Sequence, residues 1–117
     1  MFSWGCNRLG QLGIGRTEKF FNSPQEITLL KNKGITSVTC GAGHSFALDS
    51  YGIPYSWGAS ADFQTGHGTN DKDLYTPKRL GSEHFRGQNI TQISCGIKFT
   101  LLLTSKNEIL SFGSNEF

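Results

Sequence analysis

The sequence predicts an all-β protein, a β-propeller fragment with one complete four-stranded blade flanked by parts of two neighbouring blades. Three observations carry that expectation. Fifteen glycines against three prolines imply many tight turns. The apolar residues fall in short runs and not at helical spacing. Most tellingly, the chain repeats itself. Phe2-Ser3-Trp4-Gly5 returns 53 positions later as Tyr55-Ser56-Trp57-Gly58, and again 55 positions on as Leu110-Ser111-Phe112-Gly113. A period in the low fifties, in strand-forming sequence, is the mark of a propeller array.

The elements follow in order. Gly13 and Gly15 recur as Gly66 and Gly68, and Ser23-Pro24 recurs as Thr76-Pro77, all at the shorter offset. The stretch GITSVTCG, from Gly34 to Gly41, recurs at the longer offset as NITQISCG, from Asn89 to Gly96. The change places a two-residue insertion between Pro77 and Ile90, on a loop. Repeat units therefore run from about 2 to 54 and from about 55 to 109, with a third begun at 110–117. Ile35 to Cys40 is expected as the first strand of the complete unit, with Ile35, Val38 and Cys40 set among Thr and Ser. Gly41-Ala42-Gly43-His44 turns the chain, and Ser45 to Asp49 forms the second strand. Tyr51-Gly52 is a two-residue turn in which Gly supplies the positive φ a hairpin needs. Ile53 to Trp57 is the third strand. Pro54 has no N–H to give a ladder, so it is expected at a strand start, an edge or a bulge. A fourth strand lies near Thr76 to Leu80, and the whole chain should hold about nine.

The totals exclude several functions. Eleven basic and nine acidic residues give a net charge of +2 with no run of like charge. That leaves no electrostatic case for direct nucleic-acid contact or for a membrane surface. The longest apolar stretch, TLLLTS from Thr100 to Ser105, is too short to cross a bilayer. Met1 leads into FSWG without the basic start and apolar run of a secretory signal. Three widely spaced cysteines make no disulfide framework. Asn89-Ile90-Thr91 fits a glycosylation acceptor, and without a secretory signal it reads as chance. An intracellular setting, cytoplasmic or nuclear, is the expectation.

The run SWGCNRLGQLGIG, then Pro24, then VTCGAGHSFALDSYGIPYSWG closely resembles the repeat of the regulator of chromosome condensation family. The residues that carry the resemblance in the first unit are Trp4, Gly5, Gly10, Gly13, Gly15, Cys40, Gly41 and His44. Their counterparts further on are Trp57, Gly58, Gly66, Gly68, Cys95, Gly96, Phe112 and Gly113. The second unit departs from the pattern at Phe63 and Thr65, which stand where Gly10 and Leu12 stood, and at Phe99, which replaces His44. The resemblance implies a propeller, usually of seven four-stranded blades, so the chain is expected to be a piece of one, about a third of its length. Taken alone, such a piece would leave sheet faces and strand edges open.

Sites of chemistry are not expected. GQLGIG has the order G-x-x-G-x-G, reversed from a dinucleotide fingerprint, with no helix behind it and no P-loop ending. Turn glycines, with Leu12 tucked into the gap between blades, account for it better. Cys40 and His44 are close, but no C-x-x-C accompanies them, and Cys95 is the same position one unit later. Small buried cysteines are the expected state, with no metal and no cofactor. His44 and Asp49 lie near several serines without a motif that would align a nucleophile, a base and an acid. Trp4, Trp57 and Phe112 share one repeat position and are expected to fill the space between blades.

Loops carry the deviations. ASADFQTGHGTNDKDLY (59–75) and GSEHFRGQN (81–89) hold much of the charge and several aromatics. Phe63, Asp71, Lys72, Asp73, Tyr75, His84, Phe85 and Arg86 are the interface candidates, since recognition sits on loops of rigid scaffolds. The resulting expectation is a non-catalytic protein-interaction scaffold whose partners include the remaining blades or other domains of a longer chain. The resemblance also admits nucleotide exchange on a small Ran-like GTPase, a regulatory propeller attached to a ubiquitin ligase or kinase, and chromatin association. Fold alone does not choose among these.

Overall fold

The computed structural model describes residues 1–68 and 72–116. Among them nine strands form three antiparallel sheets. The first sheet pairs β1 (Phe2–Cys6) with β2 (Phe20–Glu26). The second runs β3 (Ile35–Cys40), β4 (His44–Asp49), β5 (Pro54–Gly58) and β6 (Leu74–Arg79) in sequence order. The third holds β7 (Ile90–Cys95), β8 (Phe99–Thr104) and β9 (Ile109–Gly113). Short 3-10 turns at Thr28–Leu30 and Ser82–Phe85 carry the chain from one sheet to the next. Simple up-and-down pairing of consecutive strands within each sheet is the blade arrangement of a propeller.

Strand alternation builds the core between the sheets. All six residues of β4 are buried, because this strand has a sheet on each side. Successive side chains of a strand point to opposite faces, and here the two faces enter two different cores. Ala47 packs with Ile27, Leu30 and Trp57 between the first and second sheets. Phe46 and Leu48 pack with Leu80, Phe85, Ile90 and Leu102 between the second and third. In β8 the alternation shows on one face, with Leu102 at 1% exposure and its neighbour Leu101 at 37%. Each blade therefore buries its apolar residues against its neighbours and has no separate core of its own.

Pro54 stands at the first residue of β5, opposite Leu48, and its carbonyl accepts the Leu80 N–H at 2.9 Å. A central strand tolerates it there because no ladder N–H is required at that point. The fourth strand starts at Leu74, two residues earlier than the sequence suggests, with a bulge between Ser56 and Gly58 on its partner.

The cysteines differ from the sequence expectation of burial. Cys6 and Cys40 are exposed and Cys95 is half-buried. The first sheet has two strands, so the inner strand β3 has open space beside it where longer sheets place their inner pair. Val38, on the same strand, is 55% exposed for the same reason. Trp4, at the end of the array, is 60% exposed, whereas its counterpart Trp57 is 1% exposed between two sheets.

Candidate interaction surface

Repeat-matched residues tie each blade to the next, and the ties are polar as well as apolar. Asn7 is 1% exposed and organises the first long loop. Its Nδ2 donates to the carbonyls of Arg16 at 2.7 Å and Glu18 at 3.0 Å, while its Oδ1 accepts the Leu12 N–H at 3.2 Å. One unit later Ser60 takes that position with a shorter side chain. The work is then shared: Ser60 Oγ donates to the Lys72 carbonyl, and Asp73 Oδ1 accepts the Ser60 N–H at 3.2 Å. Ser3 Oγ donates to the Leu12 carbonyl and Ser56 Oγ to the Thr65 carbonyl, both at 2.7 Å.

The loop of one blade then grips the next. The Gln11 carbonyl accepts from Trp57 Nε1 at 2.8 Å and from Ser45 Oγ at 2.9 Å. Its counterpart, the Gln64 carbonyl, accepts from Thr100 Oγ1 at 2.8 Å. Thr100 has one hydroxyl proton and gives it to Gln64, so the oxygen accepts from His44 Nε2 at 2.9 Å. His44 therefore carries a proton on Nε2. Burial lowers its pKa, opposed in part by the backbone of Phe99.

No nucleophile or base constellation emerges from these groups. His44 opens β4 and Asp49 closes it, so the two sit about 16 Å apart at opposite ends of one strand. Asp49 instead caps the hairpin, its Oδ1 accepting the N–H groups of Tyr51 and Ile53, both at 2.9 Å. Ser56 and His67 approach to 2.8 Å, a nucleophile–base distance. Ser56, however, is fully buried and already donates to Thr65, so His67 Nε2 must be the donor. Burial, then the charges of Lys78 and His84, push the His67 pKa down to about 4. Among the described residues, no three His, Cys, Asp or Glu side chains gather as metal ligands would.

The interface candidates divide by position. Antiparallel pairing sends the connections alternately to two faces of the array. The turns at Gly41–Gly43 and Gly96–Lys98 share one face with the loops after β1 and β5. The hairpins at 50–53 and 105–108 share the opposite face with the segments between sheets. Phe63, Lys72 and Asp73 therefore belong to the first face, and His84, Phe85 and Arg86 to the second. Asp71 lies outside the described residues.

Lys72, His84 and Arg86 are exposed and Phe63 is 44% exposed. Asp73 and Tyr75 hold loops in place: Asp73 binds Ser60, and the Tyr75 hydroxyl donates to the Arg8 carbonyl at 3.1 Å. Phe85 is a correction. It is 4% exposed and belongs to the core between the second and third sheets, because the 3-10 turn rolls its ring inward. A groove of about 330 Å³ runs along the outer flank of β9, from Phe63 at one end to His84 and Phe85 at the other. Gly66, Leu80, Leu110 and Phe112 also line it. Sequence reasoning missed Asn7, Gln11, Gln64 and Thr100, although Gln11 and Gln64 recur at the repeat offset and could have been found by it.

The family described as Regulator of chromosome condensation (RCC1) repeat matches residues 1–48 and 52–103, and a second model of the same repeat matches residues 90–117. The Secretion-regulating guanine nucleotide exchange factor of Bos taurus is 36% identical over 118 residues, covering 100% of this chain and 25% of that relative. The Ultraviolet-B receptor UVR8 of Arabidopsis thaliana is 41% identical over 97% of this chain and 25% of its own length. The E3 ubiquitin-protein ligase HERC2 of Homo sapiens is 34% identical over 99% of this chain and 2% of its own. The chain thus spans about a quarter or less of these curated relatives. Among solved structures, Prp20p from Saccharomyces cerevisiae, described with its binding properties to Gsp1p and histones, superposes with a TM-score of 0.85 at 26% identity. That match covers 98% of this chain and 29% of Prp20p. Human WBSCR16 superposes with a TM-score of 0.82 at 27% identity, over 99% of this chain and 29% of that one.

Proposed function

The chain belongs to the regulator of chromosome condensation repeat family, and from that premise we propose that it is a non-catalytic protein-interaction scaffold working inside the cell. The observation that carries this reading is how the side chains divide. Buried hydrogen-bonding groups such as Asn7, Gln64, Ser56, His44 and Thr100 join loop to strand and blade to blade. Exposed Phe63, Lys72, His84 and Arg86 stand on the loops of that rigid frame. A stiff array that holds variable loops is suited to recognising another macromolecule, and Ser56, fully buried with its proton given to Thr65, is not placed as a nucleophile.

A second reading is favoured by the relatives. A relative matching the whole chain is named a guanine nucleotide exchange factor, and the Prp20p structure is described with Gsp1p. On that reading the chain contributes blades to an exchange factor for a small Ran-like GTPase. Exchange needs no covalent chemistry, since a protein surface that competes for the nucleotide site is sufficient.

Binding of the full chain to a purified Ran-like GTPase and to a histone dimer tests both readings. Lys72→Glu probes one face and Arg86→Glu the other. The expected result is saturable binding to one of these probes, weakened about tenfold or more by substitution on one face and unchanged by the other. Accelerated release of labelled GDP from the GTPase would establish the exchange reading. Absence of saturable binding to either probe, or equal loss from both faces, would overturn the scaffold reading.

A further inference from the structure

The loop after each third blade strand is the same structure twice. In the first, Gly10 N–H donates to the Asn7 carbonyl at 3.2 Å and Gly13 N–H to the Gly10 carbonyl at 3.0 Å. In the second, Phe63 N–H donates to the Ser60 carbonyl at 2.9 Å and Gly66 N–H to the Phe63 carbonyl at 3.1 Å. Gly10 and Phe63 accordingly share a left-handed backbone, with φ of +80° and +60°. Each loop also leans on the following blade alike. A Cβ at Gly13 would meet the indole of Trp57, and one at Gly66 would meet the ring of Phe112.

Gly10 has no room for a side chain. A Cβ there would lie 2.6 Å from the Leu74 carbonyl oxygen and 2.9 Å from the Tyr75 Cα, where β6 enters its pairing with β5. Backbone atoms cannot give way as a flexible side chain can. Phe63 carries at the equivalent point the Cβ that Gly10 lacks, with a ring beyond it. That ring lines the groove on the outer flank of β9. The flank itself is the position that β2 occupies on β1 and β6 occupies on β5.

A four-stranded blade places an antiparallel strand in this groove, and we infer that Phe63 limits how far that strand runs. It can pair with Leu110 and Ser111, as β6 pairs Arg79 with Tyr55 and Lys78 with Ser56. It cannot make at Gly113 the pair that Leu74 makes with Gly58, because Phe63 occupies the entry. Where Leu74 lends the first junction an apolar contact from the strand, Phe63 supplies the ring from the loop, next to Phe112 in the same groove. The occupant is therefore a β6-like strand that turns aside about two residues early.

Two peptides of this protein's own sequence test the inference, residues 74–82 and the shorter 76–82, titrated into the isotope-labelled full chain. The readout is the amide shifts of Ile109 to Gly113. On the wild-type chain both peptides should shift these signals with about equal affinity, because the two extra residues of the longer one turn aside at Phe63. Phe63→Gly should let Leu74 of the longer peptide pair at Gly113 and so bind it about tenfold more tightly than the shorter. Binding of the longer peptide to the wild type at least about tenfold tighter than the shorter, a comparison that needs no variant, would overturn the role of Phe63. No shift at β9 with either peptide, or a concentration-dependent change there without peptide, which would mean a second copy, would overturn the seat itself.

Discussion

Alanine at Gly13 should damage this protein far more than alanine at Gly68, although both glycines hold a left-handed backbone, with φ of +71° and +73°. At Gly68 an added Cβ meets nothing within 4 Å. The cost there is the left-handed conformation alone, about 1–2 kcal/mol for a residue with a Cβ. At Gly13 the Cβ would sit 2.6 Å from Nε1 and 2.9 Å from Cδ1 of Trp57. The indole is 1% exposed and tethered by its hydrogen bond to the Gln11 carbonyl, so it cannot move away freely. Overpacking of that kind adds about 1–3 kcal/mol, and losing the indole bond adds about 1 more. Gly13→Ala should therefore cost about 3–6 kcal/mol, a large share of what a domain of this size possesses. Guanidinium unfolding followed by Trp57 fluorescence measures both variants, in a Trp4→Phe background that removes the exposed indole. Equal destabilisation by Gly13→Ala and Gly68→Ala would refute the claim that the loop of one blade is wedged against the tryptophan of the next.

Two further outcomes follow from the buried imidazoles. The pKa of His67 falls from the ordinary 6.5 to about 4 in the folded protein, so its stabilising effect is complete above pH 6.5 and is lost as the pH drops towards 4. The slope is at most about 1.4 kcal/mol per pH unit, and smaller to the extent that water reaches the ring. His67→Gln should flatten the stability profile between these limits, and identical profiles would contradict the assignment. Thr100→Val should cost about 2–4 kcal/mol, since it strands the Gln64 carbonyl and His44 Nε2 together. Adding His44→Phe, the ring that Phe99 already places one unit later, should recover part of that loss; strict additivity in the double-mutant cycle would exclude the coupling.

The strands were legible because their signal is local. Short β-branched runs end at Gly turns, and the chemistry of Pro54 limited it to a strand start, an edge or a bulge, of which the structure has the first. Self-similarity then aligned Trp4 with Trp57 and Phe112, three residues that the structure leaves in different surroundings, since only the second has a sheet on both sides. The same limit explains the cysteines: equivalence in the repeat says nothing about whether a neighbouring sheet is present to cover Cys40. Phe85 misled for another reason. Its loop is polar in composition, but a 3-10 turn points one residue inward whatever its neighbours are. Phe63 was visible as a departure from the glycine pattern. That it obstructs a strand's path became clear only from the distance between Gly10 and the β6 backbone.

The amino-acid sequence by itself determined the all-β class, the spacing of the repeats and the placing of the strands, because turn chemistry and a short period depend on residues close together in the chain. Tertiary structure alone decided which loops share a face, which aromatic ring is covered, and which hydrogen bonds run from Gln11 and Gln64 into the following blade. Those are contacts between residues 34 to 46 positions apart. They exist because packing sheet against sheet brings such residues within 3 Å, and no local pattern encodes that approach.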